Sequence, residues 1–161
     1  MIQEIKNRRS IRQFKNEPVP DETIKEIIKA AHFAPSGRGI RAWEFFVIKD
    51  NLTKKKIAEI GQQEFLARAP VLILPVVDKT KTNLAVQDLA LASGYLFLAA
   101  QEQGLGTVWK NLNSEQAKMI KKLLEIPENF LAINIIPVGR PAKKIPPHQD
   151  KDFDEKIIHF R

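Results

Sequence analysis

The longest apolar run in the chain, Leu84 to Ala100, limits its fold more than any other feature. Gln87, Asp88 and Ser93 interrupt the run, and it falls short of the roughly 20 residues that a membrane span needs. It reads as a buried core or interface helix over Leu84–Gln103, ended by Gly104, a natural terminator. A chain of 161 residues has room for one domain around such a helix, residues 1–161, and not for two.

Around this helix the sequence predicts helices and strands in irregular order. Ile2 and Ile5 point to a short helix ending near Asn7. Asp21 is placed to cap a second helix, whose Ile24, Ile27, Ile28 and Ala31 follow helical spacing. That helix stops at Ala34-Pro35, because the residue before proline disfavours helical geometry. Trp43–Ile48 reads as a strand, and Thr53 as the cap of a helix running to Ile60. Val71–Val77 is a β-branched strand, in which Pro75 implies an edge position or a bulge. Ser114 is the expected cap of a helix carrying Met119, Ile120, Leu123 and Leu124 on one face. Leu131–Val138 and Lys156–Phe160 complete the strands. Without a regular βαβ alternation, the class is α+β around an antiparallel or mixed sheet. No G-x-G-x-x-G follows a strand, which argues against a Rossmann dinucleotide site.

The chain has no cysteine, which excludes disulfides, thiolate metal sites and cysteine nucleophiles. His32, His148 and His159 share no ligand spacing, so no metal site is expected. The start, MIQEIKNRRS, is charged and carries no apolar signal stretch, which predicts a cytoplasmic protein with no membrane partner. A net charge of +7 favours anionic partners in general. Lys54, Lys55 and Lys56, and Lys121 and Lys122, read as solvated helix faces. Aromatic residues make up only 7% of the chain, too few for a nucleic-acid surface that interleaves rings with cations, so no nucleic-acid partner is expected.

Three segments carry potential chemistry. Asn7-Arg8-Arg9-Ser10-Ile11-Arg12 concentrates guanidinium and hydroxyl donors, either as an anion site or as a charged surface turn. Ala34-Pro35-Ser36-Gly37-Arg38-Gly39-Ile40-Arg41-Ala42-Trp43 is either a helix-to-strand loop or a backbone surface for a planar ligand. Ile136-Pro137-Val138-Gly139-Arg140-Pro141-Ala142-Lys143-Lys144 is either a solvated strand exit or a phosphate site.

In this order the segments resemble the FMN-binding nitroreductase family. The R-x-S-x-[RK] signature reads Arg8-Arg9-Ser10-Ile11-Arg12, and the P-S-G loop reads Pro35-Ser36-Gly37 through to Trp43. Gly104-Leu105-Gly106 matches the exit of the long helix, Ile126-Pro127-Glu128-Asn129 a turn, and Pro137-Val138-Gly139-Arg140-Pro141 the last signature. Ile157-Ile158-His159-Phe160 matches the short terminal strand. The resemblance spans essentially the whole chain.

It implies a mostly antiparallel central sheet flanked by helices, in an interlocked homodimer that binds FMN at the subunit interface. Arg8 and Ser10, with Arg9, would hold the FMN phosphate and ribityl chain, and Arg12 the pyrimidine edge near N1 and O2. Pro35, Ser36 and Gly37 would reach the isoalloxazine from the other subunit. Trp109, Lys110 and Asn111 would pack against the ring, and Gly139 and Arg140 would complete the phosphate site with Lys143 or Lys151. The implied activity is ping-pong hydride transfer from NAD(P)H to a nitroaromatic, quinone or similar electrophile. The same fold also hosts dehydrogenation and reductive dehalogenation, and a basic nucleic-acid-binding module is a reading from another class. Gly39 stands where the family commonly has Asn, and Arg41-Ala42 where it has Gln-Pro, which places an extra positive charge near the substrate. Two burial demands, the long helix and a flavin ring, exceed what one small chain can meet, which is the physical argument for the dimer.

Overall fold

The structure is a computed structural model, and residues 2–147 are described. The terminal strand expected over Lys156–Phe160, together with Lys151, His148 and His159, lies outside the described residues.

Six helices and six strands follow in the order α1 (Gln3–Asn7), α2 (Asp21–His32), β1 (Trp43–Ile48), α3 (Asn51–Gly61), α4 (Phe65–Arg68), β2 (Val71–Asp78), α5 (Ala85–Glu102), β3 (Gly106–Thr107), β4 (Lys110–Asn111), α6 (Ser114–Leu123), β5 (Phe130–Leu131) and β6 (Asn134–Gly139) among the described residues. The strands form one antiparallel sheet in the order β1-β2-β6-β3, with β4 also on β6 and β5 also on β2. Strand β2 sits inside it and is buried along its whole length.

Alternation along β2 divides the core in two. Val71, Ile73 and Val77 pack with Ile24 and Ile27 of α2 and Leu89, Ala92 and Leu96 of α5. Leu72, Leu74 and Val76 pack with Ile57 of α3, Leu66 of α4 and Ile120 of α6. Because both faces are covered, the strand reads as a continuous apolar run in place of an alternating one.

Both strand prolines are interior, which corrects the expectation that Pro75 marks an edge or a bulge. On one side of β2, pairing with β6 covers Val71–Ile73 and pairing with β5 resumes only at Val77. Pro75 falls in the gap. Pro137 repeats the device on β6, between the β4 pairing at Asn134 and Ile135 and the β3 pairing at Val138 and Gly139. A residue without an N–H is tolerated in a central strand where the neighbouring ladder is already interrupted.

Three caps differ from expectation. Pro20 precedes α2 and Asp21 is its first residue, with its carboxylate 2.5 Å from Lys49 Nζ. Asp50, not Thr53, caps α3 by accepting the Thr53 N–H. Asn113, not Ser114, caps α6 in a reciprocal box with Gln116. Helix α5 ends as expected, at Gln103 before Gly104, whose φ is +69°.

Candidate flavin site

After α1 the chain turns into an extended segment that lies along the edge of the sheet. Ser10 bridges Thr107 of β3 in parallel fashion, and the Ile11 N–H donates to the Thr107 carbonyl at 2.9 Å. Further on, Lys15 N–H donates to the Arg140 carbonyl and Ala142 N–H to the Gln13 carbonyl, each at 2.9 Å. The stretch just after the first segment is thereby laced to the third, which holds the two segments side by side although about 130 residues separate them.

Two glycines make this docking possible. A Cβ on Gly106 would stand 2.5 Å from Ile11, whose side chain is buried against β3. A Cβ on Gly139 would stand 2.6 Å from Pro70 and 3.0 Å from Phe14 of the docked segment. Gly139 thus has a packing reason to be glycine, whatever it does for a ligand.

The lacing brings Ser10, Arg12, Lys143 and Lys144 around one cleft of about 340 Å³. A neighbouring cleft of about 430 Å³ is lined by Arg9, Gln101 and the same two lysines. Arg9 is turned onto the carbonyls of Pro146 and Pro147. Arg140 leans the other way, with Nε 3.6 Å from Glu17. Arg12 and Ser10 are exposed, and Arg8 is half-buried.

The Pro35-Ser36-Gly37 loop lies in neither cleft. It forms a turn of 3-10 helix at Gly37–Gly39, with Arg38 and Arg41 both in the left-handed region at φ 54° and 50°. Ser36 Oγ accepts the Arg41 N–H at 2.9 Å. Asp88 Oδ1 accepts the Gly37 N–H at 2.9 Å, which ties the loop to α5. In the sequence Asp88 looks like a polar interruption of an apolar run. The signal available was a carboxylate on a helix with almost no other charge, because a buried carboxylate demands donors.

Trp109 is half-buried and meets Phe97 of α5 edge to face, with ring centroids 6.5 Å apart. Lys110 and Asn111 form β4 on the start of β6, and Lys110 Nζ donates to the Asn111 carbonyl at 2.6 Å. Beneath them Asn134 is fully buried and donates to Ser93 Oγ at 3.1 Å. A larger cleft of about 680 Å³ between α6 and β5 contains none of the expected residues.

Two overlapping matches to the family model described as "Nitroreductase family" cover residues 5–61 and 55–140. The chain belongs to the nitroreductase family. It is 34% identical to an FMN-dependent nitroreductase structure from Clostridium difficile R20291, over 99% of this chain and 98% of that one, with a TM-score of 0.92. A Methanothermobacter thermautotrophicus protein provisionally named NADH dehydrogenase/NAD(P)H nitroreductase is 34% identical over 99% of this chain and 86% of its own length. Iodotyrosine deiodinase 1 of Rattus norvegicus is 32% identical over 96% of this chain and 67% of its own. The deiodinase alignment runs over 193 positions, more than the 161 residues present here, so that relative carries inserted material. The nitroreductase fold, an antiparallel sheet flanked by helices, is the one described above. No described helix is long and apolar enough to cross a membrane.

Proposed function

We propose that the chain is an FMN-dependent oxidoreductase passing hydride from NAD(P)H to a nitroaromatic, a quinone or a similar electrophile. It would work as an interlocked homodimer of the single 1–161 domain. The supporting observation is the laced pair of segments at the sheet edge, which gathers a hydroxyl, a guanidinium and two ammonium groups around one cleft with no carboxylate in its lining. That donor set suits a phosphate. FMN would supply the hydride relay, so the protein itself needs neither a nucleophile nor an acid–base dyad.

In this reading Arg8, Arg9 and Ser10 hold the phosphate and ribityl chain, with Lys143 beside them. Gly139 and Arg140 close the phosphate site once Arg140 leaves Glu17. Arg12 faces the pyrimidine edge, where a fixed positive charge favours the reduced state. Pro35, Ser36 and Gly37 arrive from the partner subunit, and Trp109, Lys110 and Asn111 back the ring. Support for the dimer comes from the outer face of α5. Its Val86, Leu91 and Tyr95 are 53%, 43% and 42% exposed, and a Cβ at Gly94 would meet nothing within 4 Å. A core helix with an apolar outer face fits an interface between copies.

With Trp109, Lys110 and Asn111 covering one side of a bound FMN, one face would remain open, and the oxidised nucleotide would have to leave before the acceptor binds. Steady-state rates with NADH and a nitroaromatic should give parallel double-reciprocal lines. Intersecting lines would show both substrates bound together and would overturn the single-face reading.

A further inference from the structure

A further cleft, of about 340 Å³, opens beside the Gly37 loop, between that loop and the turn joining β2 to α5. Arg38 lines one wall, and Lys79 and Lys81 line the other. No carboxylate lines it. Asp78 lies 3.5 Å from Lys81 Nζ and also accepts from Thr80 and Asn129. Counting Asp78 and the buried Asp88 behind the lining, two formal negative charges stand against three positive ones, and only the cations reach the cleft surface.

The walls are held from behind by a single buried group. Asp88, 1% exposed, accepts the Gly37 N–H on Oδ1 and the Thr82 hydroxyl on Oδ2, at 2.9 and 3.0 Å. Thr82 Oγ1 in turn accepts the Leu84 N–H at 3.1 Å. Gly37 and Thr82 belong to opposite walls, so one carboxylate sets the width of the cleft. Its position in the first turn of α5 offsets the burial of its charge. At Gly37 even a Cβ would come within 3.0 Å of Leu84, so the loop is packed directly on this frame.

We propose that this cleft receives the anionic end of a substrate, a carboxylate or a phosphate, on Arg38, Lys79 and Lys81, with Asp88 as the positioning residue. Arg41, the extra cation singled out in the sequence, does not line it. The inference rests on the flavoenzyme reading, in which the Pro35–Gly37 loop reaches the flavin of the partner subunit. A carboxylate would belong to the acceptor, and a phosphate to the nicotinamide nucleotide. The cleft lies near the small end of ligand-site volumes, which suits one charged group and part of a ring better than a whole dinucleotide.

The two half-reactions separate these sources when followed by stopped flow on the purified holoenzyme. One arm compares para-nitrobenzoate with para-nitrobenzyl alcohol as acceptor, and the other compares NADPH with NADH. Arg38→Gln and Lys81→Gln should each weaken the charged member of one pair by about tenfold, the loss of one charge-assisted contact, and leave its neutral or less charged counterpart within about twofold. Raising the salt should narrow the same gap. Lys25→Gln, on the exposed face of α2, should behave as wild type. A shift in the acceptor arm identifies a carboxylate, and a shift in the donor arm identifies a phosphate. Unchanged ratios in both arms would overturn the proposal.

Calorimetric titration with para-nitrobenzoate and with inorganic phosphate decides the cleft independently of turnover. Wild type should bind one of them, and Arg38→Gln should lose about tenfold in affinity. Absence of binding by either probe, or binding unaffected by Arg38→Gln, counts against the cleft. A colourless protein that binds through Arg38 would instead overturn only the flavin reading. Asp88→Ala should loosen the Gly37 loop, speed tryptic cleavage after the already exposed Arg38 and weaken the same anion, and Asp88→Asn, which keeps an acceptor for Gly37, should restore both. A purely structural Asp88 would lower stability in both variants without changing anion selectivity.

Discussion

Lys54 belongs to a run of three lysines that reads as a solvated face, yet it is 4% exposed. Its ammonium donates to the carbonyls of Ala69 at 2.8 Å and Pro70 at 3.1 Å, just before β2 begins. Burial holds it below the ordinary lysine range, and the Asp50 carboxylate opposes that shift. Composition could not single out this lysine, because only the arrival of Pro70 under α3 distinguishes it from Lys55. Lys54→Met should cost about 1–3 kcal/mol in urea unfolding by stranding the two carbonyls, whereas Lys55→Met should stay within about 0.5 kcal/mol. Equal stability of the two variants would contradict the assignment.

Asp78, at the end of β2, is displaced in the same direction, but there the shift favours the charged form. The Thr80 hydroxyl first, then the Asn129 amide and the Thr80 N–H, hold its carboxyl well below the usual carboxylate range. In acid the native state therefore binds fewer protons at this site than the unfolded chain does. The contribution is present above the unfolded value of about 4 and is lost as pH falls from there toward the folded value. Asp78→Asn should flatten the fall in urea stability between about pH 5 and about pH 3 relative to wild type. Identical slopes would show that Asp78 does not carry the effect.

At the scale of elements, helices and strands were legible from periodicity, and their ends were not. Apolar spacing located α2, α5 and α6, because the buried stripe fixes a helix more firmly than its cap does. The caps slipped by one or more residues, since Ser, Thr, Asp and Asn are all competent and several stand in a row. For α6 the distinction can be measured. Asn113→Ala should destabilise by about 1 kcal/mol, the value of an N-cap bond, and Ser114→Ala by only a few tenths. The reverse order would restore Ser114 as the cap. The strand prolines were misread for a different reason. Whether Pro75 breaks a ladder depends on which strands flank it, and β5 and β6 come more than 50 residues later.

At the scale of the molecule, the Ser10–Arg12 and Gly139–Lys144 segments were recognisable as anion-binding candidates, and the structure brings them to one edge of the sheet. What the sequence could not convey is the lacing itself, or Asp88, whose importance appears only once Gly37 and Thr82 converge on it. In the proposed dimer, a site completed by a second copy would account for both the apolar outer face of α5 and the separation of the Gly37 loop from the Ser10 cleft. Sedimentation of the purified protein, followed at the visible flavin band and by chromatography of the released cofactor, tests this most directly. The account predicts coloured material of dimer mass with one FMN per chain. A colourless protein, one that releases FAD, or a monomer that keeps its FMN would contradict it.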